Sequence, residues 1–142
     1  DTVTARAEGP TCAQAFVTLT IRSAQGEPLW AYASTHYAMT AGDGALPADA
    51  PAVSSEAMSD FLRNWASIAV QRSSELPAWR DGEDRPKGET FGYHTEFARD
   101  VYEMLRERDL AMACYASGAE AVECLVIDPF SHAPAKIVAY GP

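Results

Sequence analysis

Cys114 and Cys124 flank a polar joint in residues 113–129, ACYASGAEAVECLVIDP, with nine residues between them. Two apolar runs joined across Ser117-Gly118-Ala119-Glu120 read as an antiparallel hairpin, whose register decides what the thiols do. A two-residue turn at Ser117-Gly118 pairs Cys114 with Ala121 and sends Cys124 to the other face, where no bridge can form. A loop centred on Ala119 instead sets Cys114 against Cys124, Met112 against Val126 and Ala113 against Leu125. Both registers are stereochemically allowed. The second collects Leu110, Met112, the two cysteines and Val126 on one apolar face, and that coherence favours a Cys114–Cys124 disulfide. Closing so short a loop stabilises by about 2–3 kcal/mol on the chain-entropy model. The competing reading is a pair of reduced, buried thiols.

A metal or redox role for the pair fits less well. C-x₉-C is not a zinc-knuckle spacing, and the C-x-x-C of thiol oxidoreductases is absent. Cys12 is the odd third cysteine. A disulfide is expected in an oxidising compartment. The chain opens on Asp-Thr-Val rather than Met. With the cysteine pair, this leads to the expectation of a periplasmic or secreted protein from which a signal peptide was removed. No run approaches the ~20 apolar residues of a membrane-spanning helix, so no transmembrane segment is expected.

Residues 1–11 are polar and hold Gly9-Pro10, which reads as a flexible arm ahead of a single domain over 12–142. Residues 13–23 alternate, with Ala15, Val17, Leu19 and Ile21 on one side, the mark of a half-buried strand. A turn at 24–27 leads into a second strand over 28–39, and 40–53 is a Gly/Pro/Ala/Asp loop. In 54–74, Met58, Phe61, Leu62, Trp65, Ile68 and Ala69 follow helical spacing, with Ser54 or Ser55 as cap and Glu56 at the positive end of the dipole. A charged segment over 74–94 reads as a long loop. A second helix follows over 95–108, with Thr95 as N-cap and Phe97, Val101, Met104, Leu105 and Arg108 on one face. Strands over 110–116, 121–128 and 134–140 close the chain.

Separated runs of strands and helices predict an α+β fold with an antiparallel five-stranded sheet and two main helices packed on it. The order ββααβββ resembles that of profilin-like and PAS-like domains. The resemblance implies that the N-terminal hairpin lies beside the C-terminal strand and that ligands enter between the sheet and the long loop.

Composition and motifs narrow the function more than they name it. Eleven Lys and Arg against twenty Asp and Glu give a net charge of −9. That argues against nucleic acid, whose phosphates call for clustered cations, and suits a basic protein partner or simple solubility. His36, His94 and His132 stand in separate elements without a helical His or Glu partner, so no metal site is expected. A Ser117/His132/Asp128 set lacks a G-x-S-x-G elbow, and Gly42-Asp43-Gly44 lacks the rest of a phosphate loop. No cofactor and no catalytic residue are expected, and an enzyme with dispersed site residues, such as a small hydrolase, is the competing class.

The stretch most suited to contact is WRDGEDRPKGETFGYH over 79–94. It mixes both charge signs with aromatics, the side chains enriched where proteins meet partners. Trp79, Arg80, Asp81, Glu83, Asp84, Arg85, Lys87 and Tyr93 are the candidate binding residues, with Trp79 and Phe91 expected to anchor the loop on the core. The expected function is an exported, non-catalytic binding domain for a protein or small-molecule ligand. The alternative is an acidic inhibitor or immunity-type protein that covers a basic enzyme. The Ser117-Gly118 tip is similar to the Ser-Gly loop of bacterial lysozyme inhibitors, a two-residue likeness to proteins that are all-β.

Overall fold

The apolar alternation of 13–23 folds into β2 (Phe16–Arg22), where Val17, Leu19 and Ile21 are buried on one face as the pattern predicts. The structure, a computed structural model, describes residues 1–142. β2 is the centre of an antiparallel three-stranded sheet between β1 (Thr2–Glu8) and β3 (Pro28–Thr35). β1 falls within the stretch read as a flexible arm. Its inward positions are Val3, Ala5 and Ala7, too small to give a strong periodic signal, yet each pairs in register with β2. Gly26, at φ 86°, makes the turn between β2 and β3, and its N–H donates to Ser23 O.

The second strand ends earlier than read. Thr35 caps a short helix α1 (His36–Thr40), its hydroxyl accepting from Ala38 N–H. Helix α2 (Ser55–Ala66) starts at the Ser54 cap, with Glu56 in its first turn, as expected. It stops at Ser67 rather than running through 74, because the β-branched Ile68 and Val70 that follow favour extended backbone. Met58 and Trp65 are buried, while Phe61 and Leu62 are half-buried.

Backbone contacts divide the chain into two units, Asp1–Ile68 with Ala116–Ala119, and Ala69–Tyr115 with Glu120–Pro142. The second unit is built on a five-stranded antiparallel sheet formed by β4 (Ala69–Arg72), β5 (Tyr93–His94), β6 (Ala111–Ala116), β7 (Val122–Ile127) and β8 (Pro134–Tyr140). Their spatial order is β4-β6-β7-β8-β5. Five antiparallel strands are therefore present, but not the expected five. The N-terminal strands pair among themselves, and the sheet is completed instead by β4 and β5, both drawn from segments read as helix and loop. The chain is α+β with two sheets, and its element order departs from ββααβββ.

Cys114 and Cys124 are bridged, with Cα atoms 4.1 Å apart. Both are buried in one cluster with Met112, Val126, Leu76, Tyr102 and Leu105, so the apolar face inferred from register exists. Where β8 passes Cys124, Val138 pairs with Cys124 and Lys136 with Leu125, leaving Ile137 as an extra residue. A bulge of this kind breaks strict alternation, and it lets Ile137 and Val138 both enter the core. Helix α3 (Arg99–Glu107) begins after Ala98, not at Thr95, whose hydroxyl accepts from Phe97 N–H instead. Its buried residues are Tyr102 and Leu105, whereas Met104 faces solvent.

A buried serine ties this unit together. Ser73, fully inaccessible in a single 3₁₀ turn over Ser73–Glu75, donates to Leu105 O at the end of α3 and accepts from Leu110 N–H, both at 2.7 Å. With donor and acceptor both used, the hydrogen bonds offset the loss of hydration, so a polar group is tolerated in the core.

Candidate functional site

The charged loop is held at both ends. Its first half, 76–79, runs extended along α3, whose residues Arg99, Tyr102, Glu103 and Arg106 recur at one-turn spacing and so share a side of the helix. Arg106 Nε donates to Leu76 O at 2.8 Å, Tyr102 OH to Pro77 O at 2.7 Å and Arg99 Nε to Trp79 O at 2.9 Å. Glu103 Oε1 accepts from Trp79 N–H at 2.6 Å, and Glu103 also pairs with Arg106. Four side chains thus satisfy four backbone groups that no strand would satisfy. Burial works to raise the Glu103 carboxyl, but the Trp79 N–H, Arg106 and Arg99 outweigh it and hold the group below its ordinary value.

The indole of Trp79 packs edge-on to Tyr102, ring centroids 6.0 Å apart, and its Nε1 donates to Glu83 O at 2.8 Å. That bond closes a turn through Gly82, at φ 83°, a backbone state that favours glycine. Glu83 Oε2 is a buried oxygen without a hydrogen-bond partner.

The second half folds as a small hairpin. Tyr93 N–H donates to Pro86 O at 3.0 Å and Gly88 N–H to Phe91 O at 2.9 Å, with Lys87 bridged to Gly92. Pro86 is fully buried at its base. Phe91 and Tyr93 both lie on Tyr140, with centroids 6.0 and 4.7 Å away. Burial, reinforced by Tyr140, raises the Tyr93 hydroxyl. Beside the hairpin is an open concavity of about 320 Å³ lined by Asp84, Arg85, Lys87, Thr90, Phe91 and Gly92.

Of the residues singled out from sequence, Asp84, Arg85 and Lys87 come together around this concavity, with Lys87 and Arg85 3.6 and 3.7 Å from Asp84. Partial loss of hydration pushes the Asp84 carboxyl up, but the two cations hold it below its usual range. Trp79 and Glu83 are half-buried, and the Trp79 indole N–H and the Glu83 backbone carbonyl are spent on each other within the loop. Asp81 is turned to an ion pair with Arg99, and Arg80 is exposed. Tyr93 supports the hairpin from below its aromatic step rather than standing free. The sequence reading missed Arg99, Glu103 and Arg106. Their signal was present as a polar stripe at one-turn spacing beside the apolar one, of which Phe97, Val101 and Leu105 pack on the core as expected while Met104 does not and Tyr102 was left out.

The three histidines stay apart in kind. His36 is buried, His94 lies in β5, and His132 is exposed in the β7–β8 turn at φ 59°. No group of three or more His, Cys, Asp or Glu is placed to hold a metal ion. No helix is long and apolar enough to cross a membrane. Comparison with known proteins adds no relative: no protein-family model, no curated protein and no solved structure matches the chain.

Proposed function

We propose that the chain is an exported, non-catalytic binding domain whose contact surface is the 84–92 hairpin, and that its ligand is a protein. The observation that carries this reading is the rigid mounting of an otherwise wet, charged loop. α3 fixes 76–79 and Tyr140 seats Phe91, while Asp84, Arg85, Lys87, Glu89 and Thr90 stay exposed. Exposed charges of this kind contribute little to stability. Ordering the segment that bears them costs conformational entropy, which preorganisation for a partner would explain. The open, polar concavity suits side chains of a protein better than an enclosed small molecule. Export is supported by the buried Cys114–Cys124 bridge.

The acidic-inhibitor reading keeps the support of the net charge of −9. A tip-led version has less. Ser117 and Gly118 are half-buried, and the tip carbonyls of Ala116 and Ser117 accept from Trp65 Nε1 and the Tyr32 hydroxyl.

The test is capture from periplasmic extract by the wild-type chain and by an Asp84→Ala/Arg85→Ala/Lys87→Ala variant, at low and high salt. Pro86 is retained because it is buried. The proposal expects a partner held by wild type and lost with the variant, whose circular dichroism and stability stay unchanged. A partner retained by the folded variant would move recognition elsewhere. A partner lost only at high salt, regardless of the hairpin, would favour the general acidic surface.

A further inference from the structure

The first unit holds a second, chemically different site that does not depend on the hairpin reading. A cavity of about 120 Å³, partly open to solvent, is lined by Ala13, Tyr37, Leu46, Pro51, Val53 and His36. Its wall is mostly aliphatic, supplied by α1 and the 41–53 loop. His36 is only 7% exposed. One side of its ring stands edge-on to Phe61, centroids 4.9 Å apart at 86°, and its backbone N–H donates to Ala15 O at 2.9 Å. The imidazole nitrogens themselves take no hydrogen bond from the protein, and neither is a sealed buried atom, so both remain reachable. Ring nitrogens left open in this way are satisfied by water or by a molecule that enters the cavity. Burial pushes His36 below its ordinary value, so the neutral ring, with one donor and one acceptor nitrogen, borders the cavity at pH 7.

An apolar cavity of about 150 Å³ holds benzene. The space beside His36 is slightly smaller and open at one side, so it admits a single ring or a short branched chain. The imidazole, a polar group on a mostly aliphatic wall, selects against a plain hydrocarbon and, being uncharged, gives no purchase to an ion, while the Thr40 hydroxyl on the same lining is already donated to His36 O. We propose that this cavity binds a small neutral molecule with an apolar body and one hydroxyl, the hydroxyl hydrogen-bonding to the His36 imidazole.

The test uses phenol as the probe and toluene as its isostere without the hydroxyl, titrated into the full ¹⁵N-labelled chain. Phenol should give saturable shifts centred on residues 36–53, with Kd in the millimolar range. Toluene should bind about five- to tenfold more weakly, the worth of one buried hydrogen bond. Ala50→Leu, which fills the lined space from an exchangeable loop position, should abolish the phenol shifts while leaving the remaining spectrum in place. Three results would overturn the proposal: no saturable shift with phenol, equal affinity for phenol and toluene, or undiminished phenol binding in a folded Ala50→Leu chain. The wild-type comparison of the two probes decides the matter even if that variant fails to fold.

Discussion

Trp79 donates its backbone N–H to Glu103 Oε1 at 2.6 Å, so the entrance to the charged loop is fixed by a carboxylate on α3 rather than by a strand. The same carboxylate pairs with Arg106, which in turn holds Leu76 O. Removing one group should therefore loosen a whole segment.

Glu103→Ala should cost about 1–3 kcal/mol, because it orphans a backbone donor as well as breaking the pair. Glu103→Gln, which keeps an acceptor for Trp79 N–H, should cost less. The acid limb carries a signature of its own. With its folded pKa depressed, Glu103 adds stability that is fully present above the ordinary glutamate range and is lost as pH falls through the folded value. Urea unfolding of wild type should weaken on acidification more steeply than that of Glu103→Ala. Parallel pH profiles would show that the carboxylate is not stabilising the loop.

Tyr102 makes the opposite prediction at the alkaline end. Its ring is fully buried, its hydroxyl donates to Pro77 O, and burial raises its pKa well above the ordinary value. A raised acid gives stability that is complete below the unfolded tyrosine pKa and declines as pH rises past it, because only the unfolded chain can ionise. Spectrophotometric titration should show Tyr102 ionising last, together with unfolding. In Tyr102→Phe that late component should be missing, and the alkaline loss of stability should be smaller.

The disulfide predicts a specific chemical map. Non-reducing digestion should recover Cys114 linked to Cys124 and leave Cys12 as the free thiol. Replacing the pair by alanine should cost about 2–3 kcal/mol on the loop-closure model. Recovery of both cysteines as alkylated free thiols from an oxidising compartment would remove the support for export.

Trp65 anchors α2 in the first unit, 5% exposed, with its Nε1 donating to Ala116 O at 2.9 Å. Trp65→Ala should cost about 3–5 kcal/mol, as large core truncations do. Trp65→Phe restores part of the ring and isolates the hydrogen bond, worth about 1 kcal/mol. A loss below about 1 kcal/mol for the alanine variant would mean that the indole contributes little to the core.

Features written in local pattern and spacing were the legible ones. Val17, Leu19 and Ile21 marked β2, the Ser54-Ser55 pair marked the start of α2, and the Cys114–Cys124 pairing followed from keeping Met112 and Val126 on one face. Features that depend on partners far away in sequence were not. β1 offers only Val3, Ala5 and Ala7 on its inward side and becomes a strand because β2 is there to pair with it. β5 is two residues long and exists through Tyr140 and Ala139. Ile68 continues the helical stripe of α2 perfectly well by spacing, yet Ser67 ends the helix and β6 recruits the residues beyond it. At the candidate sites, the charged loop was visible from composition, but its mounting on Arg99, Tyr102, Glu103 and Arg106 was not. His36 read only as a histidine without a helical partner for a metal, and the loop that walls it in shows no periodicity to announce a cavity.

The placement of the tryptophans has an experimental consequence. Trp30 and Trp65 belong to the first unit and Trp79 to the second, and the chain has only these three. In a Trp79→Phe background, all indole emission reports on the first unit. In a Trp30→Phe/Trp65→Phe background, it reports on the second. Equilibrium denaturation of the two backgrounds, each compared with circular dichroism of the same sample, separates one cooperative melt from two. The chain carries its own pair of optical labels, one per unit, with no dye to attach.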